Sequence, residues 1–212
     1  MTKISTLFID IGGVLLTNGW DHQSRQLAAD HFKLEWSEME SRHKINFATF
    51  EEGKLTLDEY LNRVIFYDER SFTQSQFKDF MFAQSQPYPE MLDLIYRLKA
   101  KYGLKIVVLS NEARELNAHR IQKFKLYAFV DCFISSCFVH LRKPDMDIFR
   151  LAIDIAQTPI EQIVYIENTQ MFVQIAQGLG IKSVLHTDFK STCTQLTSLN
   201  LQIDDEITNE SS

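Results

Sequence analysis

The tightest constraint on the fold is the string Leu7-Phe8-Ile9-Asp10-Ile11-Gly12-Gly13-Val14-Leu15-Leu16, an apolar run that delivers one carboxylate and then breaks at paired glycines. A short run without polar alternation suits a strand buried on both faces of a parallel sheet, and ligands of such sheets collect beyond the carboxyl ends of the strands. Asp10 stands where a ligand would meet it. Asp before Gly-Gly is also ordinary turn chemistry, so the decapeptide alone leaves both readings open.

Three further segments repeat the pattern. Lys105-Ile106-Val107-Val108-Leu109 ends in Ser110-Asn111, just before a helical pattern begins at Glu112. Ile163-Val164-Tyr165-Ile166 ends in Glu167-Asn168, ahead of a helical stretch from Thr169 to Gly178. Between them, Arg142-Lys143-Pro144-Asp145 heads a helix carrying Ile148, Phe149, Ala152, Ile153 and Ala156. Each piece has a plain structural alternative: Ser110 or Asn168 as a helix N-cap, Lys143 as a solvated surface lysine, Glu167 as a first-turn acid facing the helix dipole. In order, the chain presents a carboxylate, a hydroxyl, an ammonium and an acid-amide pair.

Strands near 104–109, 131–135, 162–166 and 182–186 alternate with helices, which predicts an α/β fold with a doubly wound parallel sheet. Residues 18–87 carry almost no strand signal. There, Ser37 with Glu40, Thr56 with Glu59 and Thr73 with Gln76 match the capping box, in which a hydroxyl and a carboxyl or amide satisfy orphan backbone donors. Leu57, Tyr60, Leu61, Val64 and Ile65 form one apolar stripe, and Phe77, Phe80 and Met81 another. Pro87 and Pro89 mark a boundary before a helix from Glu90 to Tyr102, ended by Gly103. Thr158-Pro159-Ile160-Glu161 gives a further capping box with proline at the first helical position. The expected organisation is an α/β core from 1–17 and 88–197, an inserted α-helical cap at 18–87, and a frayed polar tail at 198–212.

Composition excludes several function classes. Lys plus Arg number 22 against 28 Asp plus Glu, a net charge of −6 with no basic run, so nucleic acid is not an expected partner. No apolar stretch approaches the roughly 18 residues of a membrane span, and the amino terminus lacks a signal-peptide layout. Cys132, Cys137 and Cys193 suit a reducing cytoplasm and match neither a disulfide framework nor a zinc site. The histidines occur singly, so His22, His43, His119 and His186 read as surface or core residues.

In this order, the four strand-end pieces resemble the haloacid dehalogenase superfamily of hydrolases over nearly the whole chain. The Gly-Gly-Val-Leu continuation, Leu-Ser-Asn and Lys-Pro-Asp are most similar to its small sugar-phosphate phosphatases and to the amino-terminal phosphatase domain of soluble epoxide hydrolases. The resemblance implies a magnesium-dependent phosphatase of a small phosphorylated metabolite, monomeric or homodimeric, in which Asp10 forms an aspartyl-phosphate. Ser110 and Lys143 would join Asp10 in catalysis, and Ser110, Asn111 and Lys143 would hold the phosphate. Asp10, the Gly12 carbonyl, Glu167 and Asn168 would hold Mg2+. An insertion after the nucleophile strand is where the family's cap sits, so Asn18, Trp20 and His22 are expected at the substrate entrance, with packing of Trp20 inside the cap as the alternative.

Two positions depart from the family pattern. Gly12 replaces the aspartate that protonates the leaving group, a function typically worth about 10²- to 10⁴-fold. Asn168 replaces a metal-binding aspartate; its oxygen can coordinate a hard cation but adds no charge, so weak magnesium binding is expected. These departures keep two other readings open. One is a 2-haloacid dehalogenase, against which stand Thr169 and Phe172 where that group carries Asn and Asp. The other is a weakly active or inactive phosphate-binding protein.

Overall fold

The structure, a computed structural model, describes residues 3–203. In chain order it contains β1 Thr6–Ile9, α1 His22–Phe32, α2 Trp36–Glu51, α3 Leu57–Val64, α4 Gln74–Ala83, α5 Pro89–Tyr102, β2 Lys105–Ser110, α6 Arg114–Lys123, β3 Cys132–Ser135, α7 Ser136–Val139, α8 Met146–Ala156, β4 Ile163–Glu167, α9 Gln170–Gly178, β5 Lys182–Leu185 and α10 Phe189–Ser198. The strands form one five-stranded parallel sheet in the order β3-β2-β1-β4-β5. β1 is central and wholly buried, as its uninterrupted apolar run requires. The chain winds from β1 through β2 to one edge and then returns through β4 to the other, so the winding reverses beside β1.

Alternating side chains divide the core between the two faces of the sheet. Leu7, Ile9, Ile106, Val108, Val164 and Ile166 pack with Met91, Leu94, Ile95 and Leu98 of α5 and with Leu196 of α10. Phe8, Val107, Leu109 and Tyr165 face the opposite way, against Ile148, Phe149 and Ala152 of α8 and Ala176 of α9. Helices α1 to α4 build a separate apolar cluster around Tyr60, Leu61, Phe77 and Met81, joined by Ala113 and Leu116 from the sheet-flanking part.

Capping boxes at Thr56 with Glu59 and at Thr73 with Gln76 start α3 and α4 as the sequence predicts. Two others do not form. α2 begins two residues earlier than Ser37 implied: Glu35 is its N-cap and accepts from the backbone N–H groups of Ser37 and Glu38. Glu40 is thereby free of the cap and is buried against Arg25. Pro159 precedes a short 3-10 turn, Ile160–Gln162, directly before β4, but no box closes there, since the Thr158 hydroxyl donates back to the Ala156 carbonyl.

Residues 15–17 and 86–88 run side by side between the helical insertion and the sheet. Thr17 N–H donates to the Gln86 carbonyl at 2.8 Å, its hydroxyl donates to the Gln84 carbonyl at 2.7 Å, and Tyr88 N–H donates to Leu15 at 2.9 Å. Of the tail expected to fray, residues 204–212 lie outside the described part. Before them the chain is held: Leu201 is buried, and the Tyr102 hydroxyl donates to the Gln202 carbonyl.

Candidate active site

Strand register brings the site together. Ile9 pairs with Val108 on one side and Ile166 on the other, so one residue further along Asp10 lies beside Glu167, with Ser110 just beyond on β2. Asp10 N–H continues the ladder to the Ile166 carbonyl at 3.1 Å. The next turn needs glycine at position 13, where φ is +74° and an added Cβ would lie 2.0 Å from Asn168 Nδ2.

Lys143 enters from the loop before α8, and its fully buried side chain is no surface lysine. Its Nζ lies 3.1 Å from Asp10 Oδ1 and 2.6 Å from Glu167 Oε2, and it donates to the Tyr165 hydroxyl at 3.1 Å. Burial opposes the ammonium charge, but Asp10 and Glu167 outweigh it and hold the pKa above the ordinary lysine value. The Asp10 pKa is raised as well, but here burial is the cause: burial, with the Glu167 charge second, lifts it from 3.8 to about 7 against the pull of Lys143 and Ser110. Asp10 Oδ1 is buried beside the Lys143 ammonium, which holds the carboxylate in place.

A cavity of about 490 Å³ opens over Asp10, within the range of small-molecule sites. Gly12, Ser110, Asn111, Lys143 and Asn168 also line it, so the structure gathers these expected residues with Asp10 around one space. Asn18, Trp20 and His22 line it too. Trp20 fits both of its sequence readings, since its ring also packs edge-on against Phe77 inside the helical cluster.

Two of the expected ligands have other engagements. Glu167 is fully buried; it accepts from Lys143, from the Tyr165 hydroxyl and, through Oε1, from Thr169 N–H at 2.9 Å. It pairs with Lys143 and, unlike Asp10, Gly12 and Asn168, does not line the cavity. Asn111 uses its amide on the backbone of Lys143, donating to the carbonyl and accepting from the N–H, each at 2.8 Å. Its side chain places the lysine.

Sequence reasoning missed the wall opposite Asp10. Helix α2 contributes Glu40, His43, Lys44, Phe47 and Glu51 to the cavity, α1 adds Arg25, and Glu112 lies beyond Ser110. Arg25 binds Glu40 through two nitrogens and also donates to the Trp20 carbonyl. Buried Glu112 pairs with Arg120, which also reaches the Thr17 carbonyl, so the side of the pocket is tied to the linker. The detectable signal was spacing: residues 40, 43, 44, 47 and 51 share one face of a helix.

Oxygen donors suited to a hard cation are present in a limited set. Among the described residues no cluster of three or more His, Cys, Asp or Glu side chains is placed to hold a metal. What lines the cavity beside Asp10 is its carboxylate, the Gly12 backbone and the Asn168 amide. With Glu167 balanced by Lys143, this is a site of small negative charge, which fits a weakly held divalent cation.

A family model for haloacid dehalogenase-like hydrolases matches residues 4–181. The chain belongs to this family of hydrolases. Among solved structures, a haloacid dehalogenase-like hydrolase from Porphyromonas gingivalis is 19% identical, with a TM-score of 0.75 over 95% of this chain and 100% of that one. A haloacid dehalogenase family enzyme from Bacteroides thetaiotaomicron, in complex with magnesium and inorganic phosphate, is 21% identical with a TM-score of 0.71, covering 86% of this chain and 93% of that one. The L-2-haloacid dehalogenase of Xanthobacter autotrophicus, with chloropropionic acid covalently bound, is 13% identical with a TM-score of 0.60 over 94% of this chain and 85% of that one. At such identities the likeness is one of fold. A comparison with curated protein sequences finds no match. In this hydrolase no described helix is long and apolar enough to cross a membrane.

Proposed function

We propose that this hydrolase is a phosphatase of small phosphorylated metabolites that works through an aspartyl-phosphate on Asp10. The observation that carries the reading is the Asp10 carboxylate lining the cavity with its buried Oδ1 3.1 Å from the Lys143 ammonium. In the first step an Asp10 oxygen attacks phosphorus, the bond to the ester oxygen breaks, and the leaving group takes the electron pair. Lys143 offsets charge on both the nucleophile and the phosphoryl oxygens, and the Ser110 hydroxyl can donate to one of those oxygens. Asn111 fixes the backbone of Lys143 so that its ammonium needs no reorganisation, which is the main protein contribution in phosphoryl transfer. Water then attacks the aspartyl-phosphate and returns the carboxylate.

Asp10, the Gly12 carbonyl and the Asn168 amide would hold magnesium. When bound, the ion neutralises phosphoryl charge and favours the ionised form of Asp10. No carboxylate stands at Thr169 or Phe172, both of which line the cavity, and this speaks against the dehalogenase reading.

The test is a panel of phosphorylated metabolites assayed with magnesium and with chelator. Phosphate release that needs magnesium and disappears in Asp10→Asn is expected, because the amide is a far poorer nucleophile in a nearly isosteric side chain. Halide release from a 2-haloacid in chelator would establish the dehalogenase instead. Phosphate binding without turnover would leave a binding protein.

A further inference from the structure

Sequence reasoning placed His43 among surface or core histidines; it is buried, and it also lines the cavity from α2. Its hydrogen bonds determine which of its nitrogens carries the proton. Trp20 Nε1 lies 2.9 Å from the Tyr60 hydroxyl, and His43 Nδ1 lies 2.8 Å from the same oxygen. An indole N–H can only donate, so Tyr60 accepts from Trp20. The single phenolic proton, which burial holds firmly on Tyr60, then has His43 Nδ1 as its acceptor. A proton on Nδ1 would confront it with a second donor and leave the Tyr60 O–H orphaned in a dry interior, a penalty of roughly 1–3 kcal/mol. The remaining proton of the neutral ring therefore sits on Nε2, which has no protein hydrogen bond among the described residues. Burial first, then the Arg25 charge, lowers the His43 pKa to about 4, so the ring stays neutral through the working pH range; Glu40 opposes that shift weakly and Lys44 adds to it.

We propose that His43 is a specificity-determining residue, locked by Trp20 and Tyr60 as the Nε2–H tautomer, that donates a hydrogen bond to a hydroxyl or carbonyl oxygen on the organic part of the substrate. The proposal rests on the phosphatase reading for the other end of that substrate. It assigns the pocket to phosphate esters bearing an oxygen acceptor a few bonds from phosphorus, in preference to purely alkyl esters. Phe47, whose ring centroid lies 5.0 Å from that of His43, supplies an apolar surface beside the donor. It also removes His43 as a substitute for the general acid missing at Gly12, because a ring that titrates near pH 4 and has Nδ1 tied to Tyr60 holds its Nε2 proton.

Nitrogen-15 NMR of histidine-labelled protein tests the lock without any turnover, with the His43 signals assigned by their loss in His43→Gln. A protonated Nε2 and an unprotonated Nδ1 at pH 7 are expected; a proton on Nδ1 overturns the proposal. The Asp10→Asn protein is then titrated with glycerol 3-phosphate, a hexose phosphate and propyl phosphate. The Nε2–H resonance should move with at least one hydroxylated ester and not with propyl phosphate, and equal response to all, or to none, overturns the acceptor role. In turnover, Tyr60→Phe releases the tautomer and should raise KM for the hydroxylated ester about three- to tenfold, the range of one neutral hydrogen bond. Its kcat, and both constants for propyl phosphate, should stay as they are; a uniform change across esters would show a merely structural role. A protein that releases phosphate from none of these esters refutes the phosphatase reading, while the two NMR experiments judge the donor independently.

Discussion

Asp10 and Gly12 set the character of the chemistry together. Gly12 does not have positive φ, and a Cβ added there meets Asn18 Oδ1 at 3.4 Å, so a side chain fits without backbone strain. Lacking an acid at that position, the native protein should favour good leaving groups, such as acyl phosphates, anomeric sugar phosphates and nitrophenyl phosphate, over alkyl phosphates. Gly12→Asp should narrow the ratio of kcat/KM between nitrophenyl and alkyl phosphate by roughly 10²-fold. A native ratio near unity would mean that another group already supplies the proton. At the proposed metal position, Asn168→Asp adds a charged oxygen and should lower the magnesium concentration for half-maximal activity by about tenfold. A magnesium titration giving the same midpoint for both proteins would remove Asn168 from the ligand set. The residues behind these predictions were legible in the sequence because each follows a buried strand or opens a helix. The engagement of Glu167 by Lys143 was not, because nothing local in Ile166-Glu167-Asn168 says which acid a distant lysine will meet.

Helix α2 shows where reading by element failed. Assigning Glu40 to a capping box with Ser37 treated it as a local backbone partner, whereas Glu35 caps the helix and Glu40 reaches Arg25 across the helix pair. Once that residue is misread, the polar stripe it begins loses its meaning, and His43 becomes another isolated histidine. The stripe has a measurable cost in acid. His43 titrates near pH 4 in the folded protein and at 6.5 when unfolded, so between these values the unfolded chain binds more protons. Its contribution to stability is complete above pH 6.5 and is lost as pH falls toward 4. Replacing it by the non-titrating glutamine should reduce the stability lost between pH 7 and pH 4.5 by about 2 kcal/mol, as read by denaturant unfolding at the two values. Equal losses in both proteins would show that the ring is not held neutral.

Across the whole molecule, the sheet was the most legible part, since strands buried on both faces leave an unbroken apolar record that solvent-facing elements do not. The inserted helices were legible where hydroxyl caps met apolar stripes, at Thr56 and Thr73. Their arrangement over Asp10 was not, because it is set by contacts between distant residues such as Arg120 with Thr17. The hydrogen bonds joining Thr17 to Gln84 and Gln86 bear also on the order in which the chain can assemble. Strands β1 and β2 are sheet neighbours that the whole insertion separates along the chain, and bringing them together first means closing a very long loop. If residues 18–85 have already collapsed onto their own apolar cluster and drawn Thr17 to Gln86, most of that loop is bridged. The remaining search is shorter by about 1 kcal/mol of closure entropy. The insertion that roofs the pocket thus also acts as a brace on the nascent chain, shortening the path by which its central strands find each other.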